Sequence, residues 1–217
     1  MNGNKGFVWS VLVMATLVAA GASLVNAQQG GGGGGRTPLS EEQMAKAISL
    51  EAGTVARALA LDKDVAGKLE GAYRDARKAY AANAPEGGQG NFQAVIEYTE
   101  GERGKLEKAL AAFLKPEQVE KAIGTLGTFG RQWDRMVLAI DGFGMAADKA
   151  DPAMDEIAGF VQASAKARAE AMLSGDFQSV RDATAKLKEE LDAKLAKILS
   201  AEHMTKWTEA TAFRGRG

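Results

Sequence analysis

The chain has 217 residues and a formal net charge of −1, with 27 basic and 28 acidic side chains. This balance excludes a general electrostatic attraction to nucleic acid or to an anionic membrane surface. The chain has no cysteine and one histidine, which excludes disulfides, Cys-His nucleophile pairs and His-rich metal sites. We therefore predict a protein that is not an enzyme and that holds no cofactor and no metal.

The first 27 residues have the pattern of a secretory signal peptide. Lys5 gives a short positive stretch, an apolar run begins at Phe7, and Val25 and Ala27 are small residues at the positions that a signal peptidase reads. We predict that this segment is cleaved on export. An uncleaved anchor is the alternative, because the stretch from Phe7 to Val25 approaches the ~20 residues that span a bilayer.

A glycine-rich stretch separates this signal from the folded part. Residues 28–37 include six consecutive glycines, which are too costly in backbone entropy to order without a partner, so we predict a flexible linker. The helical domain is predicted over residues 38–213, with a loop at residues 87–90 and a disordered tail at residues 214–217. At about 175 residues, this part fits one domain.

Apolar residues recur at spacings of three and four throughout this domain, and no convincing alternation indicates a strand. The fold class is therefore predicted to be all-α, with antiparallel helical hairpins and six or seven helices. The predicted helices begin at or near Ser40, Asp64, Asn91, Pro116, Asp151, Asp176 and Ser200.

The fourth predicted helix carries the clearest apolar seam. Steps of four and three connect Val119 to Ile140, and this spacing is typical of a helical bundle or coiled-coil contact. Gly124, Gly127 and Gly130 lie within it at intervals of three. We interpret these glycines as permitting close helix approach or a kink, because no strand precedes them and the Gly-Lys-Ser/Thr ending of a phosphate loop is missing.

The chain also repeats itself at an offset of 85 positions. Residues 90–95 and 175–180 match at four of six positions, and the same offset relates Leu106 to Leu191. A duplicated unit implies duplicated packing. We predict two related helical units in tandem, at about residues 39–113 and 114–211.

Three segments share one pattern at a predicted helix start: Leu-Ser-Glu-Glu-Gln from Leu39, Leu-Lys-Pro-Glu-Gln from Leu114 and Leu-Ser-Ala-Glu-His from Leu199. A small polar or turn residue supplies the cap, and glutamate lies in the positively polarised first turn. The final Gln or His can reach back to the cap. The pattern is therefore structural rather than catalytic.

These helix starts, the signal peptide and the absence of predicted strands resemble the Spy/CpxP family, whose signature is Leu-Thr-x-x-Gln. The resemblance covers most of residues 39–211. The chain departs from the signature where Ser or Lys replaces Thr, where His replaces the third Gln, and in having three copies. By position, the motif residues implied are Leu39, Gln43, Leu114, Gln118, Leu199 and His203.

The resemblance implies a periplasmic helical protein that acts as an ATP-independent chaperone or stress-response protein. Members of the family are typically cradle-shaped homodimers, and a homodimer is one expectation here. The alternative is that the tandem duplication builds both halves of such a surface within one chain. The implied partners are unfolded or stress-exposed polypeptides. No nucleic acid is expected as a partner, nor stable membrane insertion once the signal is cleaved. Some relatives bind zinc, although His203 is the sole imidazole available here.

Basic residues beside aromatic residues mark a candidate client-binding surface. Such a surface can hold disordered clients, because charge attracts them and apolar contact tolerates many sequences. For Trp133, core packing is the stronger interpretation. The alternative function is an envelope scaffold or signalling adaptor that binds one specific protein partner or the membrane surface. The candidate residues are Tyr73, Arg74, Arg77, Tyr80, Arg131, Trp133 and Arg135.

Overall fold

The computed structural model describes residues 39–83, 85, 92–174 and 177–212. These residues form eight α-helices and no strand, so the predicted all-α class is confirmed. The predicted signal, linker, loop and tail lie outside the described residues. The helices are α1 (Glu41–Ala58), α2 (Lys63–Asn83), α3 (Phe92–Leu110), α4 (Pro116–Leu126), α5 (Arg131–Gly142), α6 (Ala147–Ser174), α7 (Phe177–Leu195) and α8 (Ala201–Thr211).

The prediction of six or seven helices is wrong, because the described residues form eight. The difference arises where one predicted helix is divided in two. The predicted fourth helix is two helices, because α4 ends at Leu126 and α5 begins after Gly130. Between them, Phe129 takes a left-handed backbone conformation with φ of +46°. The apolar spacing of three and four continues through this break, so periodicity alone predicts one uninterrupted helix.

Another boundary also differs from its prediction. We expected a helix start at Asp151-Pro152, but α6 begins at Ala147 and contains Pro152. Proline lacks the N–H of an interior helical residue. Here the missing donor falls near the start of a helix of 28 residues, where the loss of one bond leaves most of the helical ladder intact.

The repeated five-residue pattern begins a helix each time. At α1, the Ser40 hydroxyl accepts from the Gln43 backbone N–H at 3.1 Å, while Gln43 Oε1 accepts from the Ser40 N–H at 3.0 Å. At α4, Gln118 Oε1 accepts from the Lys115 N–H at 3.1 Å. At α8, the Ser200 hydroxyl accepts from the His203 N–H at 3.2 Å.

The His203 ring differs from its two glutamine counterparts. It stacks on Phe143 with ring centroids 4.9 Å apart and planes 6° apart. The ring therefore joins the start of α8 to the end of α5, and α8 is held by packing as well as by its cap.

Helix bounds recur at the sequence offset of 85. Both α3 and α7 have 19 residues and begin 85 positions apart, at Phe92 and Phe177. Both α4 and α8 have 11 residues and begin 85 positions apart, at Pro116 and Ala201. We call α1–α4 the first repeat and α5–α8 the second repeat.

The apolar core divides into two clusters, the first core and the second core, one for each repeat, except that Ala47 of α1 belongs to the second core. The first core extends through Leu114 to Phe129, past the unit boundary predicted at residue 113. No helix of the described residues is long and apolar enough to cross a membrane. The first core contains Ile48, Ala52, Val55, Ala56, Leu69, Tyr73, Leu106, Leu110, Leu114, Val119, Ala122, Ile123, Leu126 and Phe129. The second contains Ala47, Trp133, Met136, Val137, Ile140, Ala153, Met154, Ile157, Phe160, Val161, Leu191, Leu195, Leu199 and Trp207.

The end of α1 yields a prediction about stability. Ala60 has φ of +51°, its N–H donates to Arg57 O at 3.0 Å, and the Leu61 N–H donates to Ala56 O at 3.0 Å. Glycine favours this left-handed position at a helix end, and the end of α5 places Gly144 there with φ of +63°.

We expect Ala60→Gly to raise the free energy of unfolding by about 0.5–1 kcal/mol, because the left-handed strain exceeds the entropy that glycine loses on folding. Ala58→Gly, within α1, is the matched control and should lower it by a similar amount. Urea denaturation measures both. Destabilisation by Ala60→Gly would contradict the strain argument.

Candidate binding site

Three of the seven candidate client-binding residues are buried. Tyr73, Arg77 and Trp133 expose 0%, 7% and 1% of their surface, so the prediction that these side chains form an exposed surface is wrong. Tyr73 and Trp133 belong to the two apolar cores. The alternative interpretation of Trp133 as a core residue is confirmed.

The other four candidates lie on α2 and α5 and differ in exposure. Arg74 and Arg131 are exposed on α2 and α5, whereas Tyr80 and Arg135 are partly buried. Arg74 donates to Glu70 on its own helix. Tyr80 stacks on Phe129 with centroids 4.8 Å apart, which directs this ring inward.

Arg77 lies instead in a buried polar cluster between the two repeats. Its Nη1 donates to Asp134 Oδ1 at 2.8 Å and its Nη2 to Asp134 Oδ2 at 2.7 Å. Nη1 also donates to the Tyr73 hydroxyl at 2.9 Å, and that hydroxyl donates to Glu51 Oε2. We call Glu51, Tyr73, Arg77 and Asp134 the buried polar cluster.

Burial and charge balance set the protonation of this cluster. Burial raises the pKa of Glu51 well above its usual value, and the nearby Asp134 raises it further. Burial lowers the pKa of Arg77, but Tyr73 and Asp134 raise it more, so the net shift is upward and the guanidinium stays charged. One cation then faces two carboxyl groups, and a protonated Glu51 leaves the cluster neutral.

Three of the four members of the buried polar cluster come from the first repeat, and Asp134 comes from the second. At the offset of 85, Glu51 corresponds to Met136 and Arg77 to Gln162, so the second repeat has no equivalent set. Sequence reasoning missed this cluster, although one signal was present. Arg77 follows Tyr73 and Leu69 at intervals of four, which places it on the apolar face of α2.

Two adjoining grooves flank α4. The first, which we call the α3–α4 groove, has a volume of about 600 Å³. The second, the α4–α6 groove, has a volume of about 550 Å³. Both are lined by Arg103, Glu120 and Ile123, so the two grooves adjoin at these residues. We call the pair of grooves the trough along α4.

The trough mixes apolar and charged side chains. Leu114 and Val119 line the α3–α4 groove, and Phe160 and Val161 line the α4–α6 groove. Cations and anions alternate around them. The charged lining residues are Glu100, Arg103, Glu107, Lys108, Glu120, Lys166 and Arg168.

Large apolar side chains are not fully exposed anywhere in the part of the chain whose burial is described. Among side chains whose burial is described, every Leu, Ile, Val, Met, Phe, Tyr and Trp is buried or partly buried. In the trough along α4, the edges of the core residues Val119, Ile123 and Phe160, which expose 6%, 5% and 6% of their surface, lie beside charged side chains.

Comparison of the chain with protein-family models, with curated proteins and with solved structures found no match. The resemblance to the Spy/CpxP family therefore stays a prediction based on the helix-start motifs, and the function must be argued from the site itself.

The Arg77–Asp134 pair gives a prediction about stability. We expect Arg77→Met to lower the free energy of unfolding by about 3–5 kcal/mol, because it leaves Asp134 buried without a counter-ion. Arg74→Met, one turn earlier on the exposed face of α2, is the matched control and should cost less than about 1 kcal/mol. Urea denaturation compares the two, and equal losses would rule out a special contribution from the buried pair.

The raised pKa of Glu51 gives a prediction about pH. Between its usual value of 4.5 and its folded pKa, the folded protein binds more protons than the unfolded chain, so the free energy of unfolding falls as pH rises. Glu51→Gln keeps the size of the side chain and removes this titration.

The contribution of Glu51 is measured by denaturing both proteins at several pH values between about 5 and about 8. We expect the wild-type protein to lose stability more steeply than Glu51→Gln as pH increases. Parallel curves would contradict a raised Glu51 pKa.

Proposed function

We propose that this protein is an exported, ATP-independent chaperone or stress-response protein that binds unfolded polypeptide segments in the trough along α4. Its proposed location is the periplasm, in keeping with the N-terminal signal pattern. The trough carries the proposal, because it brings apolar side chains and both signs of charge together in one concave site.

The dimensions of the trough suit a short extended segment. The 11 residues of α4 give it a length of about 16 Å at 1.5 Å per residue. An extended chain advances about 3.3 Å per residue, so a segment of about five residues can lie along this helix.

The chemistry of the trough suits clients of varied sequence. Apolar contact with Val119, Ile123 and Phe160 requires no particular partner residue. Charged side chains of both signs at the rim accept either charge on the client. The binding would therefore be broad rather than specific for one side chain.

A second candidate is an envelope scaffold or signalling adaptor that binds one protein partner. The adaptor is favoured because no large apolar side chain is fully exposed among those whose burial is described, whereas a broad apolar patch is typical of promiscuous binding. Crosslinking in the native envelope separates the two: one dominant partner would support the adaptor, and many unrelated chains the chaperone.

Light scattering of a denatured client tests the chaperone proposal. We expect near-stoichiometric protein to suppress client aggregation. The double variant Arg103→Glu and Lys166→Glu changes the charge of the trough and should require about three times more protein for the same effect, because rim charges govern encounter.

The matched control reverses two exposed charges on α7, with Arg181→Glu and Lys186→Glu. This pair lies outside the residues that line the trough and should leave the suppression unchanged. Absence of suppression by the wild-type protein would refute the chaperone function, and equal losses in both double variants would refute the trough as its site.

A further inference from the structure

Two buried polar atoms without a hydrogen-bond partner in the described part of the chain belong to residues that line the α4–α6 groove. They are Trp133 Nε1 on α5 and Ser164 Oγ on α6. The two residues expose 1% and 6% of their surface. An unpaired buried donor is unfavourable, so a ligand that accepts from both would satisfy groups that the fold itself leaves unpaired.

The other buried indole provides a direct contrast. Trp207 Nε1 donates to Asp192 Oδ1 at 2.7 Å, so the fold supplies a partner for that indole. Thr184 Oγ1 is also buried and unpaired, but Thr184 is not among the residues that line the groove.

Three glycines line the groove, namely Gly124, Gly127 and Gly130, and neighbouring side chains cover two of them. A Cβ at Gly124 would lie 3.2 Å from Gln162 Nε2, and a Cβ at Gly127 would lie 3.0 Å from Arg103 Cγ. Gly130 caps α5 without a side-chain hydrogen bond. Glycine lets another backbone approach closely. The N-terminal end of α5 also carries a partial positive charge that favours an approaching oxygen atom.

We propose that Trp133 Nε1–H and Ser164 Oγ–H donate to main-chain carbonyl oxygens of an extended polypeptide in the α4–α6 groove. This inference rests on the proposed function and adds its mode of recognition. Every residue of a client offers the same carbonyl, so these two donors recognise polypeptide independently of its side chains.

The charge of the groove favours a neutral acceptor over a carboxylate. Three cations line it, namely Arg103, Lys166 and Arg168, and Glu100 and Glu120 oppose them. Arg103 also lies 3.6 Å from Glu100 in an ion pair. The net positive charge is therefore small, whereas the hydrogen-bond donors are buried and directional.

Access to the two donors requires a side chain to move. Gln162 is exposed on α6, and its Nε2 reaches across to Lys121 O at 3.2 Å and to Thr125 Oγ1 at 3.4 Å. These bonds are long for N–H donors. An entering chain replaces them and widens the groove beside Ser164.

Nuclear magnetic resonance of the ¹⁵N-labelled protein tests the inference. The probe is an eight-residue peptide of alternating leucine and serine, N-acetylated and C-amidated so that it carries no carboxylate. We expect it to shift the backbone amides of Gly124, Gly127 and Gly130 and to move the Trp133 indole N–H downfield. The Trp207 indole, already paired with Asp192, should stay in place.

Variants test whether the donors contribute to affinity. Trp133→Phe and Ser164→Ala should each weaken peptide binding by about threefold to tenfold, the effect of one hydrogen bond. Thr184→Val removes an unpaired buried hydroxyl outside the groove and should leave the affinity unchanged. Trp133→Phe also alters the apolar core. It is therefore used to assign the indole N–H signal, and the affinity of Ser164→Ala is judged separately.

The outcomes separate this inference from the proposed function. Shifted groove glycines with an unmoved Trp133 indole would overturn carbonyl recognition while supporting polypeptide binding in the trough. Unmoved glycines and indole would overturn both. Sodium benzoate that moves the Trp133 indole, with no response to the neutral peptide, would overturn the carbonyl assignment in favour of a carboxylate ligand.

Discussion

The buried ion pair of Arg77 and Asp134 is a directional contact at the centre of the packing between the two repeats. Ala47 of α1 adds apolar packing against the second core. The rest of the apolar core divides into one cluster for each repeat, and apolar burial is not directional. The two-pronged contact of a guanidinium with a carboxylate is directional, and it joins α2 of the first repeat to α5 of the second. Trp133 precedes Asp134, so the pair that anchors α5 also positions an indole at the groove.

The sequence predicts the helices well because burial imposes the three-and-four spacing on most of them. It predicts the helix starts because a cap is a local interaction among residues four positions apart or fewer. The break between α4 and α5 is not predicted, since Gly130 keeps the apolar spacing although it lies between the two helices and caps α5. The buried polar cluster is not predicted for another reason. Its members are distant in the chain, and charged residues are commonly placed at the surface.

The candidate site illustrates the same limit. Arg77 and Tyr73 suggest a binding surface when read beside Arg74, but their spacing from Leu69 places them on the buried face of α2. The trough along α4 depends on which helices pack around it, and no local pattern encodes that arrangement. Its glycines were recognised in the sequence as a place of close approach, and the structure puts Gln162 of α6 beside Gly124.

Covalent linkage of the two repeats removes a restriction that identical subunits share. In a symmetric assembly of separate chains, every substitution occurs on both sides of the interface at once. Here Arg77 has diverged from its counterpart Gln162, and Glu51 from Met136. One repeat can thus carry a buried polar side chain at a position where the other repeat carries a groove-lining side chain. Because both repeats are encoded in a single gene, this difference between them is inherited.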